Sequence, residues 1–233
     1  MRYFGGKAKI AKPISEFLNS EIKGHPFVDL FCGSCNVISR INSQCRVAND
    51  KHYYLIQIFN GLKSGWQPPL KMSEEEYLYI KNNPDKVNPA LYGFAGFGVS
   101  FGGKWWGGYA RENSERNFCL NAANSLLKKF ETLENVEFIS KDYKKVKIPD
   151  GWFVYCDIPY KGTTSYSSLV GEFDHLEFYE WLKEQSKRLH IYVSEYSRNV
   201  PDFCEIVWEY ESKQDMNSKT GRNKTVEVLY KIK

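Results

Sequence analysis

Residues 26–50 constrain the fold of this chain most. Pro26-Phe-Val-Asp-Leu-Phe31 is an apolar, β-prone run that enters the small-residue turn Cys32-Gly33-Ser34-Cys35. Asn36 to Ile41 reads as the start of a helix, and Arg46-Val-Ala-Asn49 as a second strand ending at Asp50. Strand, tight turn, helix, strand and acidic residue form the pattern of a nucleotide-binding βαβ unit. The chain is therefore expected to build an open α/β sheet with a ligand crevice at the carboxyl ends of its strands.

The remaining patterning extends that sheet. Ile10, Ile14, Phe17, Leu18 and Ile22 recur at helical spacing over residues 7–22, with Pro13 early, where a proline costs least. Helices are expected from about Tyr53 to Phe59, from Asn117 to Thr132, and from an N-cap at Asp174 to Arg188. Strands are expected at Val136–Ile139, Phe153–Cys156, Ile191–Val193, Ile206–Trp208 and Val226–Tyr230, with a surface hairpin or loop at 211–224. Residues 61–118 differ: they hold Pro68, Pro69, Pro84 and Pro89 and a glycine-aromatic stretch from Tyr92 to Tyr109. That composition reads as an insertion, dividing the chain into a main domain of 1–60 and 119–233 and an inserted segment of 61–118.

Bulk properties narrow the function. A chain of 233 residues suffices for one α/β domain plus an insertion. A net charge of +4 permits a nucleic-acid partner without demanding one. No run approaches the ~20 apolar residues of a membrane span, and the N-terminus does not read as a signal peptide. Six scattered cysteines then fit a reduced, cytoplasmic protein. Cys32 and Cys35 form a Cys-x-x-Cys pair, but there is no second pair and none of the four histidines is suitably spaced, so no metal is expected. The two cysteines read as small residues in a tight turn.

The chemistry concentrates at Tyr155-Cys-Asp-Ile-Pro-Tyr160. A buried strand ends there on a carboxylate, Asp157, and turns through Pro159 into Tyr160. An acceptor and a flat stacking surface are thus delivered to one sheet edge. A second cluster opens the chain: Arg2-Tyr-Phe-Gly-Gly-Lys7 precedes the first helix, and its glycines allow close approach of a ligand. Asp50, about twenty residues beyond the Asp29 strand end, is placed to accept from ribose hydroxyls. The third cluster is Phe101-Gly-Gly-Lys-Trp-Trp-Gly-Gly-Tyr-Ala-Arg111, where aromatics suit bases and cations suit phosphates or guanine edges.

These motifs, in this order, resemble those of the D12-class, Dam-like, phage-type DNA adenine N6-methyltransferases. Asp157-Ile-Pro-Tyr160 is similar to their catalytic Asp-Pro-Pro-Tyr, with Ile158 in place of the first proline. Tyr3, Gly5, Gly6 and Lys7 match a Tyr-Phe-Gly-Gly-Lys opening that forms part of the cofactor pocket. Asp29, Phe31, Cys32, Gly33 and Ser34 resemble the methionine-binding turn, with Leu30 and Ser34 replacing its proline and second glycine. Asp142-Tyr143 matches an Asp-Phe pair that holds the cofactor's adenine. The run from Lys104 to Arg111 is very similar to a Gly-Lys-Trp-x-Gly-Gly-Tyr-Ala-Arg run in the target-recognition segment.

The resemblance implies a Rossmann-like methyltransferase sheet with an inserted small target-recognition domain, and S-adenosyl-L-methionine as cofactor. It implies double-stranded DNA as partner, a monomer or weak dimer on DNA, and a bacterial or phage-infected cytoplasm. Asp157 and the Ile158 carbonyl would accept the two N–H groups of a flipped adenine, with Pro159 shaping the turn, Tyr160 stacking on the base, and Asp157 also facing the cofactor. Lys7 would sit beside Asp157. Lys104, Trp105, Tyr109, Arg111 and Arg116 would meet DNA, the alternative for the aromatics being packing on the catalytic domain. Lys213, Lys219, Arg222 and Lys224 could add phosphate contacts, though a solvated charged loop fits them as well. The alternatives are a weakened or inactive relative that binds cofactor and DNA, for which Ile158 speaks, and methylation of RNA or a protein glutamine.

Overall fold

The computed structural model describes residues 6–111, 117–161, 173–212 and 225–233. Its centre is a seven-stranded sheet of β1 (Phe27–Asp29), β2 (Arg46–Asn49), β3 (Val136–Ile139), β4 (Phe153–Cys156), β5 (His190–Tyr196), β6 (Cys204–Ser212) and β7 (Thr225–Ile232), in the order β3-β2-β1-β4-β5-β7-β6. β1 pairs in parallel with both β2 and β4, and β7 lies antiparallel between β5 and β6. The strand order reverses between β1 and β4, so the switch-point crevice opens beyond Asp29 and Cys156. This is the expected Rossmann-like α/β sheet, with an antiparallel strand inserted near one edge.

Strand pleating sorts the core into two layers. Phe27, Tyr155, Tyr192 and Leu229 face one apolar cluster, which also takes in α1 (Ala11–Ile22), α2 (Tyr53–Lys63), α4 (Pro89–Gly98) and α5 (Phe118–Phe130). Val28, Val154, Cys156, Ile191, Val193, Val228 and Tyr230 face the other, which is covered by Phe178 and Leu182 of α6 (His175–Gln185). Neighbouring residues of one strand therefore serve opposite faces, as a sheet buried on both sides requires.

Two expectations change. The helix expected from Asn36 is a single 3-10 turn, Ile38–Arg40. Cys35 is left-handed at φ 58 and Ile41 is already extended at ψ 127, leaving room for one turn. The last three strands run longer than their apolar centres, because pairing in the antiparallel β5-β7-β6 part continues through polar residues.

Residues 61–118 carry α3 (Glu74–Asn82) and α4. Ser73 and Glu76 form a reciprocal capping box at the start of α3. α4 presses on α2 and buries Phe94, Ala95 and Phe97 in the main core. The crossing is so close that a Cβ on Gly93 would meet the Tyr54 carbonyl oxygen at 2.2 Å. That oxygen belongs to helical backbone and cannot swing away. Gly93→Ala should therefore lower unfolding stability by about 1–3 kcal/mol, read as a shift in urea midpoint. An unchanged midpoint would mean the two helices can part without cost.

Candidate active site

The switch point is tied together by two side chains that bond backbone groups. Buried Asn49 at the end of β2 donates from Nδ2 to the carbonyls of Leu30 (2.9 Å) and Lys141 (3.1 Å), while its Oδ1 accepts the Lys141 N–H (3.0 Å). One side chain thus joins the loops that leave β1, β2 and β3. Asp50 accepts N–H groups from Gly33 (3.0 Å) and His52 (2.8 Å), fixing the turn after β1. Burial, partly offset by those two amides, lifts the Asp50 pKa to about 6.

Within the turn, Gly33 is left-handed at φ 49, and the Cys35 N–H closes on the Cys32 carbonyl at 2.7 Å. Cys32 and Cys35 are buried free thiols. Lys129 holds the Ser34 carbonyl and Asn36 Oδ1, both at 2.6 Å. Phe31 packs on Tyr143 (5.5 Å), and Tyr143 packs on Phe178 and Trp181. Asp142 caps the following turn by accepting the Lys144 N–H at 3.1 Å and pairs with Lys51 at 3.6 Å. Asp29 is fully buried, and its Oδ1 meets no donor among the described residues. Burial first, then the charge of Asp157, pushes the Asp29 pKa well up.

Across the crevice, β4 delivers Asp157, Ile158, Pro159 and Tyr160. Lys7 lies just before α1, and its carbonyl accepts the Ala11 N–H at 2.7 Å. The ammonium reaches Asp157 Oδ1 at 3.2 Å and Glu227 Oε2 of β7 at 3.2 Å, and it also bonds the Tyr160 hydroxyl. Tyr160 donates to Glu227 Oε2 at 2.6 Å, and its ring meets Tyr196 edge-on at 4.6 Å. Burial raises the Asp157 pKa to about 6, with Lys7 opposing and Glu227 reinforcing the rise. For Lys7, burial acts downward, but Asp157 and Glu227 outweigh it and the pKa is raised. Among the described residues, Lys7 is the sole hydrogen-bond partner of the Asp157 carboxylate, and no hydrogen bond reaches the Ile158 carbonyl.

The sequence-expected residues thus meet as two groups on one edge: Asp29, Phe31, Cys32, Gly33, Ser34, Asp50, Asp142 and Tyr143 beyond β1–β3, and Lys7 with Asp157–Tyr160 beyond β4. Gly6 precedes Lys7 at the surface. Tyr3, Gly5 and Arg116, with Lys213, Lys219, Arg222 and Lys224, lie outside the described residues. The 101–111 stretch stands apart. Trp105 is wedged against His52 (4.4 Å), Phe97 (4.7 Å) and Tyr54 (5.8 Å). Tyr109 donates to the Met72 carbonyl at 2.6 Å. These two rings are occupied by protein, whereas Lys104 and Arg111 are exposed, Arg111 in a two-pronged pair with Glu74 at 3.0 and 3.3 Å. The sequence reading named none of Glu227, Glu195 and His175 as site residues, although Ser194-Glu-Tyr196 carries part of the resemblance.

Residues 3–89 match the D12 class N6 adenine-specific DNA methyltransferase family. The matched range spans the Lys7 opening, the turn after β1 and Asp50, and it ends before the 101–111 stretch and Asp157–Tyr160. Solved structures similar in outline include the candidate methyltransferase yhhF of Escherichia coli (13% identity, 100% of this chain and 97% of that one, TM-score 0.37). The tRNA (m1A58) methyltransferase TrmI of Aquifex aeolicus matches at 11% identity over 94% of this chain and 68% of that one, TM-score 0.38. The candidate methylase HI0767 of Haemophilus influenzae matches at 12% identity over 95% and 87%, TM-score 0.39. None of these values bears on what the chain acts on.

The cofactor of this methyltransferase family is S-adenosylmethionine, and the residues present fit it. The orphaned Asp29 Oδ1 offers a buried acceptor to a cationic amino group. Each Asp50 oxygen keeps a lone pair beyond the amide it accepts, enough for ribose hydroxyls. Among the described residues, no group of three or more His, Cys, Asp or Glu could hold a metal ion, and no helix is long and apolar enough to cross a membrane.

The sharing of Lys7 sets a pH dependence. Ionised, Asp157 is an acceptor at both oxygens and carries a full negative charge, whereas protonation turns one oxygen into a donor, so kcat/KM should fall as pH drops through about 6. Lys7 favours the carboxylate, so Lys7→Met should move that limb to higher pH. Glu227 disfavours it, so Glu227→Gln should move the limb to lower pH. Neither residue acts on Asp50, so opposite shifts assign the limb to Asp157; a limb unmoved by both variants would remove Asp157 from it.

Proposed function

We propose that this chain transfers a methyl group from S-adenosylmethionine to adenine N6 in duplex DNA. The observation that carries the reading is the pair of acceptors at the end of β4, the Asp157 carboxylate, held on one oxygen by Lys7, and the Ile158 carbonyl, which accepts no hydrogen bond among the described residues, beside the Tyr160 ring. An exocyclic amino group on a base is a weak nucleophile, because its lone pair is delocalised into the ring. Two acceptors, one for each N–H, draw the nitrogen toward a tetrahedral geometry and localise the lone pair. Tyr160 supplies a stacking face, and Glu227 and Lys7 fix its hydroxyl. A base can reach such a recessed edge only after leaving the duplex, so base flipping belongs to the reading.

S-adenosylmethionine supplies an electrophilic sulfonium methyl when bound. Asp29 and the Cys32–Ser34 turn would hold its amino acid end, Asp50 its ribose, and Phe31, Asp142 and Tyr143 its adenine. The cluster of Lys7, Asp157 and Glu227 carries one positive and two negative charges when ionised, which suits a cationic donor. Residues 61–118 would act as the target-recognition segment. Within it Lys104, Arg111 and Arg116 would meet phosphates or guanine edges, and Trp105 and Tyr109 would brace the loop that presents them. DNA rather than RNA or protein is favoured by the family match over residues 3–89.

The test is transfer of labelled methyl to unmethylated duplex DNA, followed by nuclease digestion and mass measurement. Label should appear as N6-methyladenine and fall by on the order of 10²–10³-fold in Asp157→Ala, the cost of removing one preorganised hydrogen-bonding group. Cofactor binding without transfer to any duplex, or label found in RNA or protein instead, would overturn the reading.

A further inference from the structure

Ile158 raises a geometric problem. Pro159 still restricts the residue before it to extended conformations, but no ring fixes φ of Ile158 itself. The Ile158 carbonyl must nevertheless hold a set direction if it is to accept an N–H. Two contacts outside the motif address this. Pro159's carbonyl lies 2.9 Å from Nε2 of His175. A carbonyl oxygen can only accept, so that ring nitrogen carries the proton. One residue beyond Tyr160, the Lys161 N–H donates to Glu195 Oε2 at 3.1 Å, and the Lys161 carbonyl accepts from Asn199 Nδ2 at 3.3 Å.

Both anchors are themselves held. His175 is the first residue of α6, whose N-cap Asp174 accepts the Leu176 and Glu177 N–H groups at 2.9 and 3.0 Å. Its ring meets Phe173 edge-on at 5.0 Å. Glu195 is fully buried on β5, with Oε1 accepting from the Tyr196 N–H (2.8 Å) and Asn199 Nδ2 (3.1 Å). The peptide groups on the two sides of Tyr160 are therefore pinned to two different elements. Upstream, the Ile158 side chain is 2% exposed within the cluster under α6.

We propose that His175 and Glu195 form a two-point clamp on the acceptor loop that supplies the constraint which a proline ring at 158 would give. His175 is a positioning residue: it acts through the Pro159 peptide, and its importance is tied to the presence of isoleucine at 158. The inference rests on the reading of the Ile158 carbonyl as a substrate acceptor.

A double-mutant cycle tests it. His175→Ala in the wild-type background should lower kcat roughly 10- to 100-fold, the cost of a small misplacement, with little change in cofactor KM. His175→Gln, whose amide nitrogen can occupy the place of Nε2, should restore most of the rate. In an Ile158→Pro background the same His175→Ala change should cost several-fold less. Amide hydrogen exchange over residues 157–161 supplies a readout independent of turnover, and it should speed up in His175→Ala only when position 158 is isoleucine. Equal losses in both backgrounds, or unchanged exchange, would overturn the clamp. A wild type that transfers no methyl to DNA would instead sink the function proposed above, and the exchange comparison alone would then decide the clamp.

Discussion

One lysine between two carboxylates organises the reactive edge of this protein. Lys7 cannot satisfy Asp157 and Glu227 equally without also fixing where α1, β4 and β7 stand, because its ammonium touches the residue just after β4 and one of β7 while its carbonyl accepts the first N–H of α1. A buried ion pair is a poor source of net stability, since desolvation offsets most of the attraction. Its value here is geometric. The ammonium and the Tyr160 hydroxyl meet on a single oxygen of Glu227, so the ring, the carboxylate and the helix start share one coordinate frame.

The other half of the crevice is built by a different device. Asn49 and Asp50 satisfy the backbone groups that loops at a sheet edge would otherwise leave unpaired. The turn after β1 can therefore be short and lie deep in the crevice. It does not need a long helix behind it, and the 3-10 turn at Ile38–Arg40 suffices because Lys129 reaches in from α5 to take the Ser34 carbonyl. The rigid half and the charge-coupled half meet at Asp29, whose buried oxygen faces the field of Asp157.

Much of this was legible in the sequence, for local reasons. β3 and β4 fall on the expected bounds because each is a short apolar run closed by turn residues, which leaves no register to choose. The motif residues were legible because a carboxylate at a strand end is marked by the strand itself. The segment after Cys35 was misjudged because Val37, Ile38 and Ile41 imitate a helical stripe, although they are buried plugs of one tight turn. The roles of Glu195, Glu227 and His175 were not legible for the opposite reason: each is an ordinary residue of its own strand or helix, and its meaning lies in a partner 34, 67 or 16 positions away. Trp105 shows a third limit. Aromatic-rich, glycine-rich sequence suits base stacking and core packing alike, and only the neighbours His52, Phe97 and Tyr54 distinguish the two.

The bond from Lys7 to Glu227 spans 220 positions of the chain. Contacts of such separation bear the largest loop-closure entropy and form once the intervening structure has already shortened the path. The last strand is therefore part of the same edge as the first helix: displacing β7 would take Glu227 from Lys7 and Tyr160 together with a pairing partner of β5.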